Sequence, residues 1–237
     1  MVNTYIALDL ETTGLSPARD RILEIGAVKV EEGEVTDCYE TFIDCGIPIP
    51  PKITELTGIT GEMIKGSPLR DEAVRGFLEF SGDMVLLGHN LPFDYGFMKQ
   101  NVVNMGLPYE RGGLDTLKIA RICLPELPGR SLDRLADHYG IPQEHHHRAL
   151  DDALTAARLY ERLKEEFQEG HPHLFEPCSM VCRTVKESPA TNSQKVYLRD
   201  LMKYHRIEND VKIEALTRSE ASRMIDGIIL QYGRIIR

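Results

Sequence analysis

The sequence contains no long apolar segment. Its uncharged apolar runs are only a few residues long, so we expect none of them to cross a membrane. Residues 1–4 lead directly into a strand-like pattern, without the basic stretch, apolar stretch and cleavage site of a secretory signal. We therefore expect a cytoplasmic protein. The 237 residues are 42% hydrophobic and 27% charged, which is ordinary for a globular protein.

Cysteine is also scarce. The five cysteines are an odd number without the spacing of a disulfide framework, which predicts reduced thiols. Cys178 and Cys182 follow His171 and His173 closely enough to raise the alternative of a zinc site. Their His-x-His-x4-Cys-x3-Cys spacing is not a common one for zinc, so the pattern favours no metal there.

Positive charge is in deficit, with 28 Lys and Arg against 37 Asp and Glu and a net charge of −9. This balance argues against a protein that coats nucleic acid by charge alone. The charge is uneven, because residues 183–237 carry 11 basic and seven acidic side chains, a net of +4, which leaves −13 for the remainder. An acidic body with a mildly basic tail is compatible with nucleic acid and with divalent cations, which carboxylates bind.

Hydrophobic periodicity predicts strands first and then a mixture of strand and helices, which indicates an α/β or α+β domain. The prolines and irregular pattern after Gly170 indicate a domain at 1–170, a linker at 171–190 and a small helical module at 191–237. The predicted strands are 6–11, 21–31, 35–43 and 84–88, and the predicted helices are 69–80, 93–104, 114–123, 131–139, 150–168, 191–205 and 217–231.

Two carboxylates lie on the first predicted strand. Asp9 and Glu11 are two residues apart, so their side chains point to the same face. Carboxylates held this close repel each other, and a divalent cation between them removes the conflict. The alternative is a solvated strand face that happens to carry two unrelated acids.

A second acidic position follows the short strand at 84–88. Residues 88–94 read Gly-His-Asn-Leu-Pro-Phe-Asp and open a predicted helix, which puts Asp94 near a helix N-terminus. Negative charge is favoured at that end of a helix. Taken alone, the position of Asp94 favours an ordinary helix-capping acid over a site residue.

Three histidines at 145–147 come directly before a predicted helix that begins with two aspartates. A histidine in such a loop can reach over acids in the first helical turn. At about 100° per residue, Asp152 lies at the edge of the apolar face beside Ala156 and Leu159, whereas Asp151 lies nearly opposite the centre of that face. Helical geometry therefore predicts that Asp152 faces the protein and Asp151 faces solvent.

Together these positions give four acids and a histidine on three separate segments. Two-metal phosphodiester hydrolysis requires such a set, because carboxylates hold the cations and a base deprotonates the attacking water. Mg²⁺ needs only a few carboxylates and the substrate phosphate. Histidine has an unperturbed pKa that suits the base.

The same motifs resemble those of the DEDDh 3′→5′ exonucleases, the superfamily of the bacterial polymerase III epsilon (proofreading) subunit. The resemblance runs from about residue 4 to residue 167 and implies a ribonuclease H-like fold, with a mixed five-stranded sheet flanked by helices. It rests on Asp9-x-Glu11 within DLETTG, His89-Asn90-x-x-Phe93-Asp94, His147-x4-Asp152, and the segments LDTL at 114–117 and SLxxLA at 131–136.

The resemblance implies roles for these residues. Asp9, Glu11 and Asp152 correspond to direct ligands of two divalent cations, Mg²⁺ or Mn²⁺. Asp94 corresponds to an acid that holds a metal through water, and His147 to the general base. All five are candidate catalytic residues. The sister class has a tyrosine where this sequence has an arginine at position 148, which indicates the histidine class.

The resemblance also implies contacts with the terminal nucleotide. Thr12, Thr13 and Gly14 are expected to approach it through backbone and hydroxyl groups. Phe93 is a candidate for stacking or wedging, although a core phenylalanine is nearly as consistent with the pattern. The candidate substrate-binding set is Leu10, Thr12, Thr13, Gly14, His89, Asn90 and Phe93. His145 and His146 have no assigned role.

The function implied is metal-dependent 3′→5′ exonuclease activity that releases nucleoside monophosphates from nucleic-acid 3′ ends. Single-stranded DNA is the favoured substrate, and a DNA polymerase is a candidate partner. One alternative is an RNA-trimming exonuclease with the same site. Another is a non-catalytic adaptor that binds ends or a polymerase, which the presence of all five site residues disfavours. For the basic tail, nucleic-acid contact and a purely stabilising role remain open.

Overall fold

The computed structural model describes residues 2–143, 148–185, 187–207 and 211–235. In these ranges the strands are β1 (Tyr5–Thr12), β2 (Ile22–Glu31), β3 (Glu34–Phe42), β4 (Leu86–Gly88), β5 (Gly112–Asp115) and β6 (Cys178–Ser179). The helices are α1 (Pro51–Thr57), α2 (Gly61–Ile64), α3 (Arg70–Ser81), α4 (Leu91–Asn104), α5 (Thr116–Cys123), α6 (Leu132–Tyr139), α7 (Ala149–Phe167), α8 (Asn192–His205) and α9 (Arg218–Tyr232). Short 3-10 turns cover Pro172–Phe175 and Ile213–Ala215.

The strands form one mixed sheet in the order β3-β2-β1-β4-β5-β6. β1, β2 and β3 pair antiparallel, β1, β4 and β5 run parallel, and β6 pairs antiparallel to β5. The mixed α/β sheet flanked by helices agrees with the predicted fold class. Two details differ: β5 occupies residues predicted as the start of a helix, and the two-residue β6 extends the expected five strands to six.

β1 lies in the middle of the sheet and divides the core into two layers. Tyr5 and Ala7 face one layer, which α5, α6 and α7 cover. Ile6, Leu8 and Leu10 face the other layer, which α3 and α4 cover. Full burial of one such leucine stabilises the fold by about 1.5–3 kcal/mol, which fixes the face on which each β1 side chain lies.

Helix α7 lies directly against β2 at Gly26. A Cβ atom added there would lie 2.1 Å from the Leu150 nitrogen and from the Ala149 carbonyl carbon. Only glycine permits this approach. The first turn of α7 is therefore held close to the two central strands.

We call the sheet with helices α1–α7 the sheet domain. The first half of the segment expected as a linker, residues 171–190, packs on this domain. Leu174 and Phe175 are buried in the α7 side of the core, where the Phe175 ring lies 5.9 Å from that of Tyr160. Met180 is buried on the opposite side and its N–H donates to the Arg111 carbonyl at 3.0 Å.

Helices α8 and α9 share a small apolar core of their own, which also includes the partly buried Ile47 of the sheet domain. Capping boxes begin both helices, at Thr191 and, as the sequence predicted, at Thr217. Lys212 pairs with Asp44 at 2.6 Å and ties this module to the sheet domain. None of the helices in the described ranges is both long and apolar enough to cross a membrane.

Candidate active site

Three carboxylates meet at the end of β1. Asp9 and Glu11 continue the line of Tyr5 and Ala7 beyond the apolar core, and Asp152 comes from the first turn of α7. One carboxylate oxygen from each acid lies within 4.8 Å of those of the other two. The group contains Asp152 and not Asp151, as helical geometry predicted.

The three acids lie where their charges are costly. Burial, and then repulsion from Asp94, Asp152 and Glu11, raises the pKa of Asp9 well above its usual range. Burial, Asp152 and Glu24 raise the pKa of Glu11 from 4.5 to about 8. A divalent cation would relieve this repulsion, and an all-oxygen donor set suits a hard cation such as Mg²⁺ or Mn²⁺. The residues present therefore fit the divalent-metal dependence of this class of site.

Asp94 lies beside this group, in the first turn of α4. It is buried, and its Oδ1 accepts the Leu10 N–H at 3.1 Å. Burial raises the pKa of Asp94 even though backbone N–H groups favour its charged form. Asp94 is not one of the three acids whose oxygens lie within 4.8 Å of one another, which is compatible with a bond to metal through water. Leu10 contributes the backbone group that orients it.

The loop after β1 is shaped by its threonines. The Thr12 hydroxyl donates to the Gly14 carbonyl at 2.7 Å, and the Thr13 hydroxyl accepts the Arg21 N–H at 2.9 Å. Gly14 leaves no room for a side chain, since an added Cβ would lie 2.6 Å from the Asp20 carboxylate. The hydroxyls thus hold the loop in its shape, and contact of Thr12, Thr13 and Gly14 with substrate stays a prediction.

The residues before Asp94 differ in what they offer to a substrate. The two ring nitrogens of His89 already lie 2.9 Å from the Thr116 hydroxyl and from the Arg130 carbonyl, so this histidine joins parts of the protein. Burial lowers the pKa of His89. Asn90 has an exposed side chain and a left-handed backbone with φ 68°. Phe93 is half-buried and lies 5.0 Å from the Phe97 ring, so one part of it packs on the core.

Two residues near the acids were missed at the level of sequence. Glu24 is fully buried and lies directly opposite Glu11 in the β1–β2 pairing. Arg148, the residue before α7, lies with its Nη2 2.7 Å from Glu24 Oε1 and 3.0 Å from Glu40 Oε1. An acid among the apolar residues of the first half of β2 is the available signal for Glu24.

A third missed residue is Asp115, at the end of β5. Its Oδ1 accepts the N–H of Asn90 at 2.9 Å and that of Leu117 at 3.0 Å. It therefore holds the left-handed Asn90 in place and caps α5 at the same time. Asp115 thus supports the turn that leads to Asp94.

The predicted general base, His147, lies outside the described residues, as do His145 and His146. Its assignment therefore stays a prediction. The zinc alternative is not supported, because His171, His173, Cys178 and Cys182 do not form a metal-ligating group in the part of the chain that the structure describes.

Grouped carboxylates that can hold two divalent cations occur in phosphatases, polymerases, nucleases and aminopeptidases, so the acids at the end of the central strand indicate a metal-dependent enzyme of this kind. The sequence model of the exonuclease family (RNase_T) matches residues 6–160 of this chain. The chain therefore belongs to this exonuclease family.

Similar proteins agree with this membership. The chain is 45% identical over 166 residues to a PolC-type DNA polymerase III of Clostridium perfringens, covering 68% of this chain and 12% of that protein. A PolC-type relative from Pediococcus pentosaceus is 32% identical over 244 residues, covering 95% of this chain and 17% of that protein. The chain thus spans less than a fifth of the length of these two relatives.

Solved structures share the fold. Exonuclease I of E. coli, in complex with a dT13 oligonucleotide, superposes with a TM-score of 0.67 at 20% identity, covering 73% of this chain and 44% of that chain. Exonuclease X, in complex with 5′-overhanging duplex DNA, superposes with a TM-score of 0.56 at 25% identity, covering 69% of this chain and 92% of that chain.

Proposed function

We propose that this chain is a 3′→5′ exonuclease that removes nucleoside monophosphates from DNA 3′ ends. The observation that carries the proposal is the group of Asp9, Glu11 and Asp152, whose carboxylate oxygens lie within 4.8 Å of one another. Membership of the exonuclease family supports phosphodiester hydrolysis as the chemistry of this group.

Each acid has a part in the proposed reaction. When bound, divalent cations supply an activated water and neutralise charge on the phosphate and on the leaving 3′ oxygen. Asp9, Glu11 and Asp152 would hold these cations directly, and Asp94 would hold one through water. His147 would take the proton from the attacking water.

DNA is the favoured substrate because the names and complexes of the similar proteins refer to DNA. Exonuclease X is solved with 5′-overhanging duplex DNA, and the PolC-type relatives are DNA polymerases. We propose single-stranded or frayed DNA 3′ ends as substrate, a DNA polymerase as a partner and the cytoplasm as location. Mg²⁺ or Mn²⁺ is the proposed metal, since both bind oxygen ligands.

The 3′ end of the substrate strand would contact the residues predicted to bind substrate. Thr12, Thr13 and Gly14 would face the terminal nucleotide with the backbone of their loop, and Leu10 contributes through its bond to Asp94. The other side of the proposed substrate site is formed by His89, Asn90 and Phe93, and the exposed Asn90 side chain is best placed for contact.

The proposed division of the chain is an exonuclease domain at 1–170, a linker at 171–190 and a helical module at 191–237.

The test uses matched DNA and RNA oligonucleotides, single- and double-stranded, labelled at the 5′ end. A ladder that shortens from the 3′ end of DNA in Mg²⁺ or Mn²⁺, and not in EDTA, is the expected result. Faster trimming of RNA would favour the exoribonuclease alternative. Absence of any cleavage by the folded protein in either metal would contradict the proposal.

A further inference from the structure

A groove of about 290 Å³ lies between the loop after β1 and helix α9. We call it the α9 groove. The loop contributes Thr13 and Arg19, and α9 contributes Arg223 and Met224. Ile47 and Pro48, from the segment after β3, also line it. The C-terminal helical module therefore forms one of its walls.

Thr13 lines the α9 groove and is close along the chain to the candidate active site. This residue is two positions after Glu11, a separation of at most about 7 Å along the chain. Its N–H donates to the Arg21 carbonyl at 2.8 Å, and its hydroxyl accepts the Arg21 N–H at 2.9 Å. A strand whose 3′ end lies at the three acids would therefore need to extend only a short way past the Thr12–Gly14 loop to reach this groove.

With Glu220 paired to Arg21, the charged lining of the groove is Arg19 and Arg223 against Asp20, a net charge of +1. Arg19 and Arg223 are exposed and neither has a carboxylate partner among the described residues. Arg223 Nη2 donates instead to the Arg19 carbonyl, at 3.1 Å, which holds its guanidinium at the rim. Two acids also line the groove, but each has an internal partner. Asp20 accepts the Ser16 N–H at 2.8 Å, and Glu220 is bonded to Arg21 at 2.6 Å.

The remaining lining is apolar. Ile47, Pro48, Pro50 and Met224 present aliphatic surface next to the two arginines. Proteins bind single-stranded nucleic acids in grooves where cations follow the phosphates and bases stack on aromatic rings. Here the two arginines would follow the phosphates, and the aliphatic side chains would provide the apolar surface for the bases. A duplex would not offer its bases to this surface.

The wall formed by α9 is fixed to the sheet domain before any substrate arrives. Arg21 donates to Glu220 across 199 positions of sequence, and Glu220 also accepts the Thr217 N–H at 2.8 Å as part of its capping box. Burial alone would raise the pKa of Glu220, but the Arg21 and Thr217 bonds outweigh it and lower that pKa. The acid therefore stays charged and the groove keeps its shape.

We infer that the α9 groove binds the nucleotides of the substrate strand that precede the 3′ end, so that the helical module completes the DNA-binding surface. The inference rests on the proposed function, since Thr13 of the groove is close along the chain to the proposed site. It gives the basic tail a role in affinity for longer strands. Its partner is the sugar-phosphate backbone and bases of single-stranded DNA.

The test uses the full chain with Arg19→Glu and Arg223→Glu as separate variants. The matched control is Arg218→Glu, which makes the same charge change on the same helix at an exposed position about 140° around the axis. Single-stranded DNA of about four and about 16 nucleotides is titrated by fluorescence anisotropy in Ca²⁺ at two salt concentrations. Melting temperatures confirm folding, and a charge-reversed variant that does not fold is replaced by glutamine at the same position, Arg19→Gln or Arg223→Gln.

We expect Arg19→Glu and Arg223→Glu each to weaken binding of the longer strand roughly tenfold. Each is also expected to reduce the slope of log affinity against log salt concentration by about the value of one phosphate contact. The ratio of long-strand to short-strand affinity falls accordingly. In Arg218→Glu the ratio of long-strand to short-strand affinity stays within about twofold of that of the unmodified chain, because salt screens a charge that lies far from the groove.

Two results would overturn the inference while the proposed function stands. One is an unchanged affinity ratio in both groove variants of a protein that still degrades DNA from the 3′ end. The other is an equal loss in Arg218→Glu, which would mean that overall charge and not the groove is responsible. If the unmodified chain neither binds nor cleaves DNA, the proposed function fails, and the inference fails with it.

Discussion

Arg148 and Glu24 form an ion pair that holds the start of α7 against β2. The guanidinium Nη2 lies 2.7 Å from Glu24 Oε1, and the same carboxylate accepts the Ala149 N–H at 3.3 Å. Because Glu24 lies opposite Glu11, the pair joins the helix that carries Asp152 to the strand beside the other two acids. The arginine also opposes the rise in the pKa of Glu11.

Replacement of Arg148 with methionine is expected to lower the free energy of unfolding by about 3 kcal/mol, because it leaves the buried Glu24 without its cationic partner. Chemical denaturation measures this loss. Exonuclease activity is expected to fall in kcat more than in KM, since the start of α7 positions Asp152. The double variant Arg148→Met, Glu24→Gln removes both charges and recovers most of the stability. A single variant as stable as the unmodified protein would contradict this role.

Asp152→Ala is expected to abolish metal-dependent cleavage while the protein stays folded. Removal of one of three mutually repelling acids relieves repulsion, so the metal-free variant is expected to melt at the same temperature or slightly higher. Asp151→Ala is the matched control and keeps most of the activity. Cleavage assays on a 5′-labelled oligonucleotide compare the two. A reversed pattern would mean that the other aspartate is the ligand.

Stability of the metal-free protein is expected to fall as pH rises from about 4.5 to about 8, owing to the raised pKa of Glu11. The folded state binds this proton more tightly than the unfolded state does, so protonation stabilises the fold below this window and the gain is lost through it. Melting temperatures in EDTA across this range measure the effect. Glu11→Gln cannot titrate and is expected to show a flatter profile.

Added Mg²⁺ or Mn²⁺ is expected to raise the melting temperature more at pH 8 than at pH 5, because protons and cations compete for the same carboxylates. Asp9→Asn should reduce this metal effect at the higher pH. An equal rise at both pH values would show that the cation acts elsewhere.

His147→Ala is expected to slow the chemical step by about 10²–10⁴-fold, the range for a positioned general base. Binding of single-stranded DNA in Ca²⁺ is expected to change little, since the carboxylates and phosphate contacts remain. Single-turnover cleavage and anisotropy separate the two quantities. His146→Ala is the control, and the same loss in that variant alone would shift the base by one position.

Phe175→Ala is expected to lower the free energy of unfolding by about 3–5 kcal/mol, since the side chain is buried against α7. The control, Val181→Ala, changes a residue that is 90% exposed and is expected to shift stability by no more than about 0.5 kcal/mol. Denaturant titration compares them. Equal stability of both variants would mean that the segment after residue 170 adds nothing to the sheet domain.

Local pattern predicted the elements that carry the candidate site, but it missed two strands. β5 has Gly112 and Gly113 in its four residues and lacks alternation, so the sequence pattern predicts the start of a helix over its second half. β6 has only two residues and is a strand only because it pairs with Gly112 and Gly113. Neither strand has a periodic signal of its own, because pairing and not side-chain alternation defines it.

Local sequence pattern alone predicts the direction in which each acid faces. A spacing of two in a strand puts Asp9 and Glu11 on one face, and the helical period separates Asp152 from Asp151. The contacts between distant segments become visible only in the folded chain. Arg148 and Glu24 are 124 positions apart and Arg21 and Glu220 are 199 apart. No local period encodes such pairs, because they arise only when the packing of sheet and helices brings the segments together.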